Sequence, residues 1–388
     1  MQKTFLTAES VCAGHPDKIC DYISDSILDY ALSKDKYSRV ACETMATKGN
    51  IIVAGEITST AEIDIQNIVN NALLNIGYEP KNYKIHIFVH QQSLDIAHGV
   101  DNALESRQGD KTNYACLGAG DQGSVYGYAT NETEEKLPLP LLLSHNICKN
   151  LDIARKNNKI KGLLPDGKAQ VSIEYENGKP KRINTIIISI QHEKSKNLQD
   201  LRKEITENII YPTFTQLPID PQTQILINPA GNFIDGGPSA DTGLTGRKIM
   251  VDTYGGLAAH GGGAFSGKDA TKVDRSGAYM ARHIAKTIVT ADLAEKCEVS
   301  ISYAIGKADP VSVNVNTFGT GKISDNELVH AINKTFNLRP GAIINYLNLL
   351  SPNYAKTSAY GHFSNKNFTW ENIDDSIITK LNNNIEQI

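Results

Sequence analysis

No stretch of this chain reaches the roughly 18 consecutive apolar residues that a membrane-spanning helix needs. Nor does a basic excess mark a nucleic-acid surface. Lys and Arg number 39 against 43 Asp and Glu, for a formal net charge of −4, so any polyanion must be met by cations gathered locally. The six cysteines (Cys12, Cys20, Cys42, Cys116, Cys148 and Cys297) include no Cys-x-x-Cys pair. That excludes a ribbon-type zinc site and fits free thiols in a reducing compartment. Met1 to Ser10 lack the basic start and apolar core of a secretory signal, which predicts a cytoplasmic protein. The single tryptophan, Trp370, reads as packing. With 388 residues, 40% hydrophobic and 21% charged, the chain is too long for one ordinary core and predicts two or three domains.

What is present begins with a glycine-rich run. Residues 262–274 read Gly-Gly-Ala-Phe-Ser-Gly-Lys-Asp-Ala-Thr-Lys-Val-Asp, leading into Lys268 and Lys272 with Asp274 just beyond. Backbone that approaches an anion closely needs glycine, lysines supply charge, and a carboxylate can hold Mg²⁺ among phosphate oxygens. Gly262 to Lys268 fits a P-loop, but Asp269 stands where that loop needs Ser or Thr. A polyphosphate clamp, a flexible structural loop and a P-loop therefore all stay open on these residues.

A second cluster lies at Gly14-His15-Pro16-Asp17-Lys18. Pro16 suits a first helical position, and Ile19, Ile23, Ile27 and Ala31 mark one apolar face to about Ser33. The positive end of that helix falls where His15, Asp17 and Lys18 stand, again suiting phosphate and metal.

One arrangement then recurs three times. A helix near 16–33 precedes strands near 39–47 and 51–58 and a helix near 61–76. A helix near 139–156 precedes strands near 168–176 and 182–191 across Asn177-Gly178, then a helix near 197–211. A helix near 275–294 precedes strands near 297–305 and 311–318, then a helix near 324–336. Asn-Gly between alternating runs signals a hairpin, and Ile85–Val89, Gln224–Asn228, Phe5–Thr7 or Ser358–Tyr360 supply edge strands. The repeat predicts α+β units over 1–114, 115–234 and 235–388. The charge run from Asp200 to Glu207 reads as a solvated helix face, and Asn382-Asn383-Asn384 as a frayed terminus. His86, His90, His192, His283 and His330 read as structural or surface residues.

Gly14–Lys18, Gly118-Ala119-Gly120-Asp121-Gln122-Gly123 and Gly261–Asp269 together resemble the S-adenosylmethionine synthase (methionine adenosyltransferase) family. Gly55–Thr58, Gly243–Lys248 and Val251–Gly256 agree, and the resemblance runs from about Phe5 to Trp370. It implies three similar α+β domains about a pseudo-threefold axis, with flat sheet faces buried in a homodimer that shares its active sites, and a homotetramer built from two dimers. The implied substrates are ATP and L-methionine. The sulfur attacks C5′ and expels triphosphate, which is hydrolysed to pyrophosphate and phosphate.

Residue by residue, the resemblance puts His15 on the leaving side and makes Lys168, Arg247, Lys248 and Lys268 the triphosphate clamp. Asp166, Asn232, Asp241 and Ala264 join the ATP site, with Phe233 and Ile305 on either side of adenine. Asp17 and Asp274 hold two Mg²⁺ per site, and Glu43 holds one K⁺ per subunit. Glu56, His98, Asp121, Asp241 and Lys272 surround methionine, with Glu56 facing the C-terminal clamp of the partner chain. Asn232 stands where many members carry arginine. His98 stands where a methionine-contacting glutamine is usual, in a segment, 94–112, that resembles a mobile gate. The competing readings are a P-loop kinase or ATPase and a nucleotide-binding regulatory subunit without turnover.

Overall fold

A computed structural model describes residues 3–93, 100–351 and 353–387. Helix α1 (Pro16–Lys34) begins as the sequence predicts, with His15 as its cap and Pro16 in its first turn. Ile19, Ile23, Ile27 and Ala31 are fully buried. Strands β2 (Arg39–Thr47) and β3 (Asn50–Thr58) form a tight hairpin. Helix α2 (Ile65–Ile76) then crosses over to β4 (Lys84–His90), parallel to β3. α2 starts four residues later than its pattern suggested because Asp64 caps it, accepting the Asn67 N–H at 3.0 Å.

The arrangement repeats. Helix α3 (Leu139–Lys156) precedes a hairpin of β6 (Leu163–Glu176) and β7 (Lys179–His192). Its turn residues Asn177 and Gly178 have φ of 52° and 77°, the left-handed pair that a two-residue hairpin turn requires. After helix α4 (Leu198–Ile205), β8 (Gln224–Ile227) runs parallel to β7. The third copy has helix α5 (Val273–Thr290), strands β10 (Lys296–Tyr303) and β11 (Ser312–Asn316), and helix α6 (Asp325–Thr335).

Each hairpin also takes a strand from elsewhere in the chain, and always against its first strand. β1 (Lys3–Val11) pairs with β6, β5 (Gly123–Thr130) with β10, and the short β9 (Gly243–Leu244) with β2. The sheets are therefore β1-β6-β7-β8, β11-β10-β5 and β4-β3-β2-β9. β5 was not anticipated, and β1 is longer than the expected edge. Ser358 closes a 3₁₀ turn, Tyr354–Ser358, instead of starting a strand.

Three sheets do not make three interiors. One continuous core joins α1, α2, β2 and β3 to β5, α5, β10 and α6. The β1-β6-β7-β8 sheet encloses a separate core with α3 and α4. Arg282 on α5 is fully buried and uses all its donors. It reaches the Glu371 carboxylate and the carbonyls of Tyr128, Glu135 and Lys136 at 2.7–2.9 Å. Trp370 stacks on Tyr279, with ring centroids 3.9 Å apart.

Two sequence readings change. The terminal asparagines belong to an ordered helix, α7 (Asp375–Glu386), on which Leu381 is buried and Asn384 bonds Thr335 at 2.9 Å. The charge run on α4 is not wholly solvated, because Arg202 donates to the carbonyls of Ile227 and Asn228 and so closes the end of β8. Among the described residues, no helix is long and apolar enough to cross a membrane.

Gly127 on β5 lies directly under α5, and a Cβ there would stand 1.9 Å from the Ala281 backbone. Helix and sheet cannot both keep their places around a side chain. Gly127→Ala should cost about 3 kcal/mol or more, read from chemical denaturation. An unchanged unfolding midpoint would show that α5 is not seated on β5.

Candidate active site

At the start of α1, His15 Nδ1 accepts the Asp17 N–H at 3.2 Å. The buried Asp17 carboxylate takes the Leu244 N–H at 3.0 Å and Lys248 Nζ at 2.6 Å, and Arg247 Nε stands 3.9 Å away. Burial opposes the charge on Asp17, but Lys248 and the Leu244 N–H outweigh it and hold the carboxyl below its usual range. Burial and then the Lys248 ammonium push His15 down to about 4, so its imidazole is neutral at pH 7.

Pro165 packs against Gly14, where a Cβ would lie 2.3 Å from the proline ring. This brings β6 to the same place. Asp166 accepts the Gly237 N–H at 2.8 Å, and burial raises it to about 6. Lys168 pairs with Glu9 of neighbouring β1 at 2.7 Å. Phe233 is fixed through its backbone, its N–H bonding His192 Nε2 at 3.2 Å and its carbonyl accepting the His192 N–H at 2.9 Å. His192 thus has the structural role expected of it. Asn232 and Asp241 lie exposed on the same segment, and Asp241 is near enough to Asp166 to add to its upward shift.

The glycine-rich run gathers the other residues. Lys268 bridges by backbone to Ala41, which also faces Glu56 across the β2–β3 hairpin. Lys268 Nζ pairs with Asp274 at 2.7 Å. Gly263 passes so close to that carboxylate that a Cβ would sit 2.3 Å from it. Gly267 has φ of 79° and would collide with the Cys42 carbonyl if it carried a side chain. These glycines therefore serve close packing and backbone shape as well as any anion. Partial burial pushes Glu43 up against the pull of Lys268, and Glu56 adds to the rise. Glu56 pairs with His90 at 3.1 Å, a partner for a histidine that had none in the sequence reading. Gly120 abuts the Thr271 carbonyl, placing exposed Asp121 next to Lys272, and Ile305 bridges to Ala119.

Asp269 is the residue that breaks the P-loop pattern, and its structural work is plain. It is buried, accepts the Val40 N–H at 2.7 Å and the Thr271 N–H at 2.9 Å, and pairs with Lys272. The run follows no strand and its lysine lies along β2, so the strand–loop–helix context of a P-loop is missing.

Three domain profiles of one family match this chain in order. They are the S-adenosylmethionine synthetase N-terminal domain over residues 3–99, the central domain over 116–233 and the C-terminal domain over 235–372. A relative named S-adenosylmethionine synthase, from Finegoldia magna, is 50% identical, with 96% of this chain and 98% of the relative covered. The chain belongs to the S-adenosylmethionine synthetase family. It is a transferase, and by class a methionine adenosyltransferase.

Within one chain the residues expected of this family fall into two groups. His15, Asp17, Asp166, Lys168, Asn232, Phe233, Asp241, Arg247 and Lys248 form the first. Glu43, Glu56, Asp121, Lys268, Lys272, Asp274 and Ile305 form the second. Ala264 lies on the border, touching the first group's loop at Gly246. Among the described residues no hydrogen bond or ion pair joins the two groups. Phe233 and Ile305 therefore fall in different groups of one chain, as do Asp17 and Asp274. Glu56 and Lys268 flank Ala41 within one chain, where the expectation had set Glu56 against the C-terminal clamp of a partner. His98, with the rest of 94–99, lies outside the described residues. The remainder of the expected gate is tied down: Glu105 accepts the N–H groups of Ala308 and Asp309, and Arg339 binds Asp110 and Asp309.

The sequence reading missed the residues beneath both groups. Asp21, Asp25 and Asp29 follow Asp17 at four-residue spacing on α1, with Lys18, Asp252 and Arg275 as buried partners. An aspartate at every fourth position of a helix with an apolar face was the available signal.

The depressed His15 group can be tested directly. Nitrogen-labelled histidine NMR on the ligand-free protein should show its imidazole neutral down to about pH 4. The Lys248→Met variant should titrate higher, because the ammonium disfavouring His15 protonation is gone. The unfolded chain takes up this proton near 6.5, so the His15 contribution to stability is present above 6.5 and lost as pH falls towards 4. A titration near 6.5 in the folded protein would remove the neutral-imidazole assignment.

Proposed function

We propose that the chain makes S-adenosylmethionine from ATP and L-methionine by direct attack of the methionine sulfur on ribose C5′. The S–C5′ bond forms as the C5′–O bond breaks, and the electron pair leaves with triphosphate. Water then cleaves the triphosphate to pyrophosphate and phosphate. The carrying observation is the pairing of the clamp cations. Lys168, Lys248 and Lys268 are held on Glu9, Asp17 and Asp274 at 2.6–2.7 Å, with exposed Arg247 beside Asp17. Fixed positive charge where a polyanion leaves is the main catalytic need when the nucleophile is a thioether. Neutral His15 can donate a hydrogen bond to the leaving oxygen without carrying a charge into the site.

Asp17 and Asp274 each offer one carboxylate among phosphate-binding cations. This suits Mg²⁺, which commonly takes one or two carboxylates and completes its shell with phosphate oxygens and water. The proposal assigns one Mg²⁺ to each aspartate and a K⁺ to Glu43. Bound there, the ions would neutralise phosphate charge. Glu56 and Asp241 would face the methionine ammonium, with Lys272 on its carboxylate and Asp121 and His98 nearby. Lys272 keeps Asp269 behind it, so it presents charge without being free to wander.

The division into two groups supports an active site shared between two copies, the first group of one facing the second group of the other. Large apolar side chains stand exposed on the sheets, among them Phe5 on β1, Phe88 on β4 and Leu226 on β8, which suits sheet faces that bury each other in a dimer. Two such dimers would make the tetramer, in the cytoplasm.

Mass spectrometry of a reaction with ATP and methionine tests the chemistry. Methionine should be consumed, with pyrophosphate and phosphate both released. ADP as product would indicate a kinase, and unchanged substrates a binding subunit. Lys268→Ala should lower kcat by well over tenfold, since losing one preorganised charge costs a few kcal/mol, with the unfolding midpoint unaltered.

Sharing has its own test. Mixed Lys168→Ala and Lys268→Ala chains should regain roughly a quarter of wild-type activity, because half the dimers would be mixed and each mixed dimer keeps one site free of both lesions. Mixed Glu56→Ala and Lys268→Ala chains should regain none, since both lesions lie in one group. Recovery in the second mixture and not the first would reverse the assignment.

A further inference from the structure

We infer that Asp21 and Asp25 are positioning residues for the triphosphate clamp, acting through the backbone without touching substrate. The inference rests on the reaction proposed above. Asp21 Oδ1 accepts the Gly246 N–H at 2.8 Å, and Gly246 immediately precedes Arg247 and Lys248. Asp25 Oδ1 accepts the Gly267 N–H at 2.8 Å, and Gly267 immediately precedes Lys268. The two carboxylates are one helical turn apart on α1, roughly 6 Å along the axis. One rigid helix therefore sets both strips of clamp that a chain contributes, Arg247 and Lys248 to one shared site and Lys268 to the other.

Each aspartate works with a buried cation that closes the loop from its other side. Lys18 Nζ binds Asp21 Oδ2 at 2.9 Å and also pairs with Asp252, just beyond Lys248. Residues 246–252 are thus held at the front by Asp21 and at the back by Lys18. Arg275 grips both oxygens of Asp25, at 2.8 and 2.9 Å, and donates to the Lys268 carbonyl at 3.0 Å. Lys268 is thereby fixed through the amide before it and through its own carbonyl. Two irregular loops that carry the catalytic charge are bracketed by the same acid–base device.

Preorganised charge loses its value when displaced, and a shift of about 1 Å can cost on the order of 100-fold in rate. Asp21 is the better test, because Lys18 keeps Asp252 when Asp21 is removed, whereas loss of Asp25 strands buried Arg275. In the full-length protein, Asp21→Ala should lower kcat about 100-fold while circular dichroism stays native. Asp21→Asn keeps an acceptor for the Gly246 N–H and should recover at least about tenfold of that loss.

A double-mutant cycle separates positioning from a general structural effect. In an Arg247→Ala/Lys248→Ala background the Asp21→Ala factor should shrink to about threefold or less, because the residues it positions are already gone. In a Lys168→Ala background the full factor should persist. Should Asp21→Ala not fold, Asp21→Asn carries the same cycle with its smaller loss. Wild-type protein that consumes no methionine overturns the reaction and this inference with it. Active wild type with Asp21→Ala within about threefold of it, or with equal factors in both backgrounds, overturns the positioning role alone.

Discussion

A row of acid along α1, buried at Asp17, Asp21 and Asp25 and half-buried at Asp29, holds loops from the second half of the chain in place. Asp17, Asp21, Asp25 and Asp29 stand on successive turns of a helix whose other stripe is fully apolar. Each takes backbone N–H groups from the second half of the chain: Leu244, Gly246, Gly267, and the pair Tyr354 and Ala355. Buried carboxylates are costly unless bonded and paired, so the helix can sit here only when those loops close onto it. Among the described residues Asp29 has backbone donors and no ion pair, and burial raises it to about 6. Its three neighbours each have a lysine or arginine within reach.

That arrangement determines the electrostatics of the site. The clamp cations do not stand bare before substrate arrives, because carboxylates hold them in position. In the proposed reaction a polyphosphate entering between them would replace one set of anions with another and find the donors already oriented, which is the condition under which fixed charge is most effective. His15 belongs to the same scheme. Burial, and after it the cations around it, keep its imidazole neutral.

The exchange of strands explains why one chain holds two partial groups. β1, β5 and β9 each leave their own stretch of sequence to join another sheet, so residues distant in sequence are stitched into one body with two cores. Within one chain His15 and Lys168 fall in one group, and Glu56 and Lys268 in the other.

Much of this was legible in the sequence. The hairpins, two of the edge strands and the start of α1 follow from local rules: period-two alternation, the Asn177-Gly178 turn, Pro16 in a first helical turn. The candidate residues stood out too, because glycine next to Lys268 and His15 two positions from Asp17 are informative by residue type alone. β5 was not legible, since its partner β10 lies some 170 residues away and nothing local declares such a pairing. The terminal asparagines misled for a like reason: α7 is ordered by its contacts with Thr335, not by its own composition. The sequence by itself determined the element types, the family and the residues that carry charge. Only the tertiary structure decided which of those residues share a side and what restrains them, because Asp21 and Asp25 act on amides more than 200 positions away, and hydrogen bonds between distant segments leave no periodic trace in the chain.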